Sequence, residues 1–305
     1  MIRFALMTRR DFLPALAGMT ALAAKAQQGY PVKPQQQDPH PPAAFLVKPK
    51  LGRLKQSVCS GVFPKGLTFD EQCKLAADLG FYGIDLQTPE KFATLKKHGL
   101  ISTMTAGGGG ALQDALNNKA NHAAIEKTMH QTIDLCAEAG SPNLITFSGN
   151  RRGLSDAEGA DNCVAFLNRV KAHAEDKNVN ICMELLNSRV NHKDYQNDHV
   201  DWGVSVCKRV NSPKVKLLFD IYHMQIMDGD IVRRIQENFE WMGHFHTGGV
   251  PGRHEIDNDS QELNYHWVAK ALADMGYQGF IAHEYSPVRD AIKSLKEARD
   301  IFTVS

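Results

Sequence analysis

The stretch MGHFHTGG at residues 242–249, followed by NYHWVAKALADMG at 264–276, decides how the rest of the chain is read. The first is short, suits an extended pleat and ends on two glycines. The second carries apolar residues at helical spacing and stops at Gly276, a residue suited to a left-handed cap. This strand-then-helix couplet recurs. RLKQSVCSGVF (53–63) precedes LTFDEQCKLAADLG (67–80), and FYGIDLQ (81–87) precedes PEKFATLKKHG (89–99). LISTMTAGGGG (100–110) precedes AAIEKTMHQTIDLCAEAG (123–140), and NLITFSGN (143–150) precedes a long polar-faced segment at 155–178. NICMELLNS (180–188), VKLLFDIYHMQ (215–225) and GFIAHEYS (279–286) each lead into a further helical segment. Eight such units imply an α/β chain folded as a single-domain (β/α)8, or TIM, barrel. An open doubly wound sheet is the alternative, but no GxGxxG follows the first strand.

The domain organisation follows from composition. The segment MTRRDFLPALAGMTALAAKAQ has paired Arg9 and Arg10, a short apolar run and a small-residue site at Ala24-Lys25-Ala26. Residues 1–26 therefore read as a twin-arginine export signal, too short to span a bilayer, with Gln27 the first residue after cleavage. That places the protein in the periplasm or otherwise outside the cytoplasm and makes the twin-arginine machinery a partner. Residues 27–51 are rich in Pro and Gln and read as a linker, poorly ordered or draped on the surface. Residues 52–305 are then the barrel domain, of the size usual for that fold. With 35 basic and 34 acidic residues, the chain offers no electrostatic basis for binding nucleic acid or an anionic membrane. Its six cysteines lack metal-finger spacing and read as small buried residues. Whether copies of the chain associate as a homo-oligomer is left open.

In such barrels the C-terminal ends of the strands build the active site. The fifth expected strand carries Glu184 there, the sixth Asp220 and His223, the seventh His244 and His246, and the eighth His283 and Glu284. Asp85 is the sole charge near the ends of the first four. Because side chains alternate across a strand, Cys182 and Glu184, Leu218 and Asp220, His244 and His246, and Ala282 and Glu284 share faces. If the first of each pair packs in a barrel layer, the second lies one step nearer the mouth. Glu184, Asp220, His246 and Glu284 then converge. Three carboxylates and an imidazole repel or desolvate one another unless a cation joins them, and this donor set suits Mg, Mn, Co or Zn. His244 reads as a hydrogen-bonded packing residue, and His283 as pointing away from the barrel axis. His223 is either a substrate contact or a partner to a ligand.

At these residues, in MELLNSR, LLFDIYHMQ, HFHTGGVPGRHE, LNYHW and YQGFIAHEYSP, the chain resembles the sugar phosphate isomerase/epimerase superfamily of xylose isomerase-like TIM barrels, most closely its hydroxypyruvate isomerases. The resemblance implies that Glu184, Asp220, His246 and Glu284 ligate a metal and that Glu184 and Glu284 act as the acid/base pair. It also implies that His223 and Arg253 hold substrate oxygens. In two places the pattern departs. His246 stands where hydroxypyruvate isomerases carry Gln and sugar epimerases His, and Val190 stands where epimerases carry a second glutamate. The chemistry implied is isomerisation or epimerisation of a small hydroxy-carbonyl compound through an enediolate. Two alternatives remain: an exported sugar- or metal-binding barrel without catalysis, and a metal-dependent phosphodiesterase of the endonuclease type.

Overall fold

The computed structural model describes residues 38–257 and 259–305; the export signal and the first part of the expected linker lie outside the described residues. The described residues belong to one compact unit. Seven strands build the sheet: β1 (Lys55–Cys59), β2 (Ile84–Asp85), β3 (Asn143–Thr146), β4 (Asn180–Glu184), β5 (Val215–Asp220), β6 (Met242–Thr247) and β7 (Phe280–His283). All neighbours pair in parallel, in the order β2-β1-β7-β6-β5-β4-β3. The third of the eight expected strands survives only as isolated bridges at Ile101 and Thr105. Thr105 bridges in parallel both to Gln87, just past β2, and to Leu144 in β3, so this segment joins the two edges of the sheet into a barrel. Its irregularity has a local cause. The Ser102 hydroxyl donates to Met104 O at 2.8 Å, and such side-chain bonds compete with a regular ladder. Gly83 lies so close to Ile101 O that any Cβ there would collide with it.

α1 (Ala43–Leu46) lies at one end of the ring, and the other helices cover its outside: α2 (Phe69–Asp78), α3 (Phe92–Lys97), α4 (His122–Ala139), α5 (Asp156–Lys177), α6 (Val200–Val210), α7 (Ile221–Met227), α8 (Ile231–Glu237), α9 (Tyr265–Asp274) and α10 (Ala291–Ile301). α2 and α5 begin in capping boxes, Thr68 with Glu71 and Ser155 with Glu158, which satisfy donors that a helix start leaves bare. Gly80, Gly140 and Gly276 all adopt positive φ at helix ends, as their positions suggest. Among the described residues no helix is long and apolar enough to cross a membrane. All six cysteines are free and buried.

Two layers of apolar packing support the mouth. The larger fills the space between strands and helices. The smaller lies inside the ring and consists of Met104, Ile145, Cys182 and Leu218. Cys182 and Leu218 are the residues one step below Glu184 and Asp220, so alternation has lifted the two acids above a packed layer. One boundary differs from expectation. Residues 221–225 continue as α7 and not as strand, because the Asp220 side chain accepts from His223 N and caps the new helix.

The opposite end of the ring is closed by residues 38–50. Of the linker expected to be poorly ordered or draped on the surface, residues 38–50 are held in place by hydrogen bonds. Lys214 Nζ reaches Asp38 Oδ2 at 2.5 Å and also His40 O, while Lys55 Nζ donates to Phe45 O and to Gln278 O at 2.8 Å. The Phe45 ring meets Phe280 edge-on at 5.9 Å.

Candidate metal centre

Glu184 ends β4, Asp220 ends β5, His246 lies in β6 and Glu284 follows β7. One ligand atom from each falls within 4.8 Å of all the others. His246 Nδ1 stands 2.7 Å from Glu284 Oε2, 3.5 Å from Glu184 Oε1 and 3.8 Å from Asp220 Oδ2. The four strands are neighbours in the sheet, so convergence follows from register: Asp220 pairs with His246, and His246 with Ala282, two residues before Glu284 and on the same face. Glu284 N donates to Thr247 O at 3.0 Å and Tyr195 Oη donates to Glu184 O at 2.9 Å, which anchors two of the backbones.

His246 Nδ1 is buried and has no hydrogen-bond partner despite the carboxylates around it. A bare imidazole nitrogen among three carboxylate oxygens is the donor set of a divalent cation, so the residues present fit such an ion. His246 Nε2 faces Asp85 Oδ2 at 2.8 Å, and His244 Nε2 faces the same oxygen at 3.2 Å. His244 is therefore a buried, hydrogen-bonded residue of the barrel interior. His283 turns outward, with Nδ1 by Thr247 Oγ1 at 3.0 Å and Nε2 by Gln56 Oε1 at 3.1 Å, against the rings of Phe81 and Phe302.

Arg253 enters the centre from the loop after β6. Its NH2 donates to Asp220 Oδ2 at 2.6 Å and to Glu284 Oε2 at 2.5 Å, and its NH1 lies 2.8 Å from His223 Nε2. The residue has φ +56°, an uncommon conformation for a side chain of this size. Hydrogen bonds of 2.8 Å on both sides, from its own N to Gly249 O and from Ser286 N to its O, hold the backbone there and aim the guanidinium inward. His223, on the first turn of α7, is fixed through Nδ1 by Asn187 Nδ2 at 2.6 Å. Above these groups opens a cavity of about 340 Å³, lined by Glu184, Glu284, His223 and Arg253 on one side and by Gly107, Gly109 and Gly110 on the other. A Cβ at Gly109 would strike Ile145 O, so only glycine lets this wall lie against β3.

The charges are unequal in their settings. Burial and the neighbouring acids push the Glu184 carboxyl up to about 7, while His246 works against them. Burial acts in the same sense on Glu284, but His246 and Arg253 outweigh it and hold that carboxyl below its ordinary range. Burial opposes a proton on His246, yet Glu284 and its fellow carboxylates outweigh burial and raise its pKa. His223 is driven by burial down to about 3, so its ring is neutral.

Two contributors escaped the sequence reading. Asp85 looked like an isolated strand-end charge, although its place across the ring from β6 makes it the partner of both histidines. Glu255 lies in the loop after β6, where its residue type alone does not set it apart. It is in fact buried and accepts from Val288 N and Arg289 N, each at 3.0 Å, so it ties the loop after β6 to the loop after β7. The signal for Asp85 was its place as a lone strand-end charge, and for Glu255 its place two residues after Arg253.

Comparison with known proteins bears on this geometry. The model of the xylose isomerase-like TIM barrel family matches residues 73–302. A relative from Homo sapiens, provisionally named hydroxypyruvate isomerase, is 29% identical over 183 residues, 58% of this chain and 65% of that protein. A 2-oxo-tetronate isomerase from Cupriavidus necator is 35% identical over 114 residues, 37% of this chain and 43% of that one. This chain thus spans less than two thirds of the length of either relative. Among solved structures, an AP endonuclease of family 2 from Brucella melitensis superposes with a TM-score of 0.71 at 24% identity, covering 79% of this chain and 97% of that one. A D-psicose 3-epimerase crystallised in the presence of D-fructose gives 0.66 at 19% identity, covering 82% and 100%. At these identities the two structures speak to the fold.

Proposed function

This chain belongs to the xylose isomerase-like TIM barrel family, and from that premise we propose that it is a metal-dependent isomerase or epimerase of a small hydroxy-carbonyl compound. The single observation that carries the reading is the bare, buried His246 Nδ1 among Glu184, Asp220 and Glu284. A divalent cation held by these four residues would supply the Lewis acidity that loosens a proton on carbon between a hydroxyl and a carbonyl. One of the two glutamates takes that proton and leaves an enediolate on the substrate. The other returns a proton, either to the neighbouring carbon or to the opposite face of the same carbon. In the first case hydrogen has moved from one carbon to the next and the hydroxyl proton between the oxygens, which is isomerisation. In the second the configuration inverts. Arg253 and neutral His223 face the cavity and suit a substrate carboxylate or hydroxyl pair, a planar fork beside a ring nitrogen. The names of the isomerase relatives support a hydroxypyruvate-like or 2-oxo-acid substrate, and a match to a ketose 3-epimerase from Arthrobacter globiformis supports a ketose. The reading includes export by the twin-arginine route, supported by Arg9, Arg10 and the apolar run after them.

The test is solvent exchange. The protein is stripped with chelator, reloaded with Mg, Mn, Co or Zn, and incubated in deuterated water with small hydroxy-carbonyl acids and ketoses. Deuterium should enter at the carbon beside the carbonyl only in the loaded protein. Exchange with none of the compounds under any metal would favour a binding barrel without catalysis.

A further inference from the structure

We propose that Asp85 is a positioning residue: by accepting the proton on His246 Nε2, it makes His246 present Nδ1 as the ligand. The proposal rests on the metal-centre reading above and assigns the centre a part supplied by a strand that contributes no ligand. Asp85 closes β2, on the far side of the ring from β6, and 161 residues separate it from His246. It is fully buried. Its Oδ1 takes the Thr103 hydroxyl, which leaves Oδ2 to the two imidazoles at 2.8 and 3.2 Å.

The chemistry of these contacts settles which nitrogen faces which group. An ionised carboxylate has no proton to give, so the ring nitrogen opposite it must donate. His246 therefore carries hydrogen on Nε2, and in the neutral ring the lone pair stands on Nδ1. Nδ1 is the nitrogen turned toward Glu184, Asp220 and Glu284 and the one without a hydrogen-bond partner. With no acceptor behind Nε2, the ring is free to carry its hydrogen on either nitrogen or to rotate. A carboxylate behind a ligating imidazole also raises the basicity of the ring. The bland alternative is an ion pair that merely fastens β2 to β6 across the ring. It predicts an effect on stability and none specific to His246.

Five forms of the full chain separate the two: the natural protein, Asp85→Asn, Asp85→Ala, His246→Gln and Asp85→Ala combined with His246→Gln. Each is stripped and titrated with Co2+, read by visible absorption, and with Mn2+, read by spin resonance; circular dichroism monitors the fold. The natural protein should bind one ion per chain. Asp85→Ala should weaken binding roughly 10- to 100-fold and alter the Co2+ band, and Asp85→Asn, which keeps an acceptor oxygen without the charge, should fall between. A glutamine at 246 can ligate through its carbonyl oxygen and has no ring tautomer to set. Removing Asp85 from His246→Gln should therefore change affinity less than about twofold beyond His246→Gln alone. Unchanged affinity in Asp85→Ala, or an equal loss with and without His246, would overturn the proposal. If Asp85→Ala does not fold, Asp85→Asn decides: a natural affinity and band would overturn it. Failure of the natural protein to bind either ion would overturn the metal reading itself, and this proposal with it.

Discussion

The two ends of the barrel bury charge in opposite ways. At the floor, Lys214 is 3% exposed and bonded to Asp38 and His40 O, and Lys55 is bonded to two backbone carbonyls. Every donor named there has an acceptor, and the chain segment 38–50 supplies several of them. At the mouth, three acids crowd one imidazole whose inner nitrogen, 2.7 Å from Glu284 Oε2, has no hydrogen-bond partner. Complete pairing is what a structural site needs, because an unsatisfied buried group costs about 1–3 kcal/mol. Incomplete pairing persists where a ligand completes it. On the proposed function the floor serves stability and the mouth chemistry, and substitutions should separate the two.

The largest effect is expected at the mouth. Asp220→Asn keeps an oxygen to cap α7 but removes a charge from the ligand set. Affinity for Mn2+ by calorimetry should drop at least ~100-fold, since the direct ligand should matter no less than the residues behind it. The thermal midpoint of the stripped protein should change little, because relief of repulsion among the acids offsets the weakened ion pair with Arg253. A lowered midpoint with affinity intact would break the contrast between the two ends. Next comes the floor. Lys214→Met leaves Asp38 and His40 O without their donor, and should cost about 1–3 kcal/mol in denaturant unfolding. Solvent exchange by the folded protein should be unchanged, and a large loss of exchange would show that the floor is coupled to the site. A smaller effect is expected at Glu255. Glu255→Ala frees the loop after β7 from the loop that carries Arg253, so KM should rise several-fold while kcat moves little. The smallest belongs to Val190→Glu. Val190 is 69% exposed, so a glutamate there faces solvent and should leave exchange within about twofold and stability within ~0.5 kcal/mol.

How far the molecule could be read in advance depended on whether the signal was local. Short apolar runs ending in an acid or histidine, with glycine stops after the helices, sufficed for the barrel and for the convergence of Glu184, Asp220, His246 and Glu284 at its mouth. Alternation alone lifted those residues above Cys182 and Leu218, because the side-chain period of a strand is a local property. Residues 221–225 misled because Ile-Tyr-His-Met suits strand and helix alike, and the Asp220 cap decided between them. The third expected strand dissolved into bridges because Ser102 spends its hydroxyl on nearby backbone carbonyls. Asp85 and the 38–50 segment were beyond sequence for another reason. Their partners lie 161 and 176 residues away, and only closure of the ring brings them together.

The central claim is that Glu184 and Glu284 move a proton on a substrate held at this centre. Its most direct test is Glu284→Gln in deuterated water with saturating metal and the best substrate found. The account predicts a folded protein whose exchange at the substrate carbon falls roughly 10²- to 10⁴-fold, the usual contribution of a positioned acid or base. Exchange at the rate of the natural protein in that variant would contradict it.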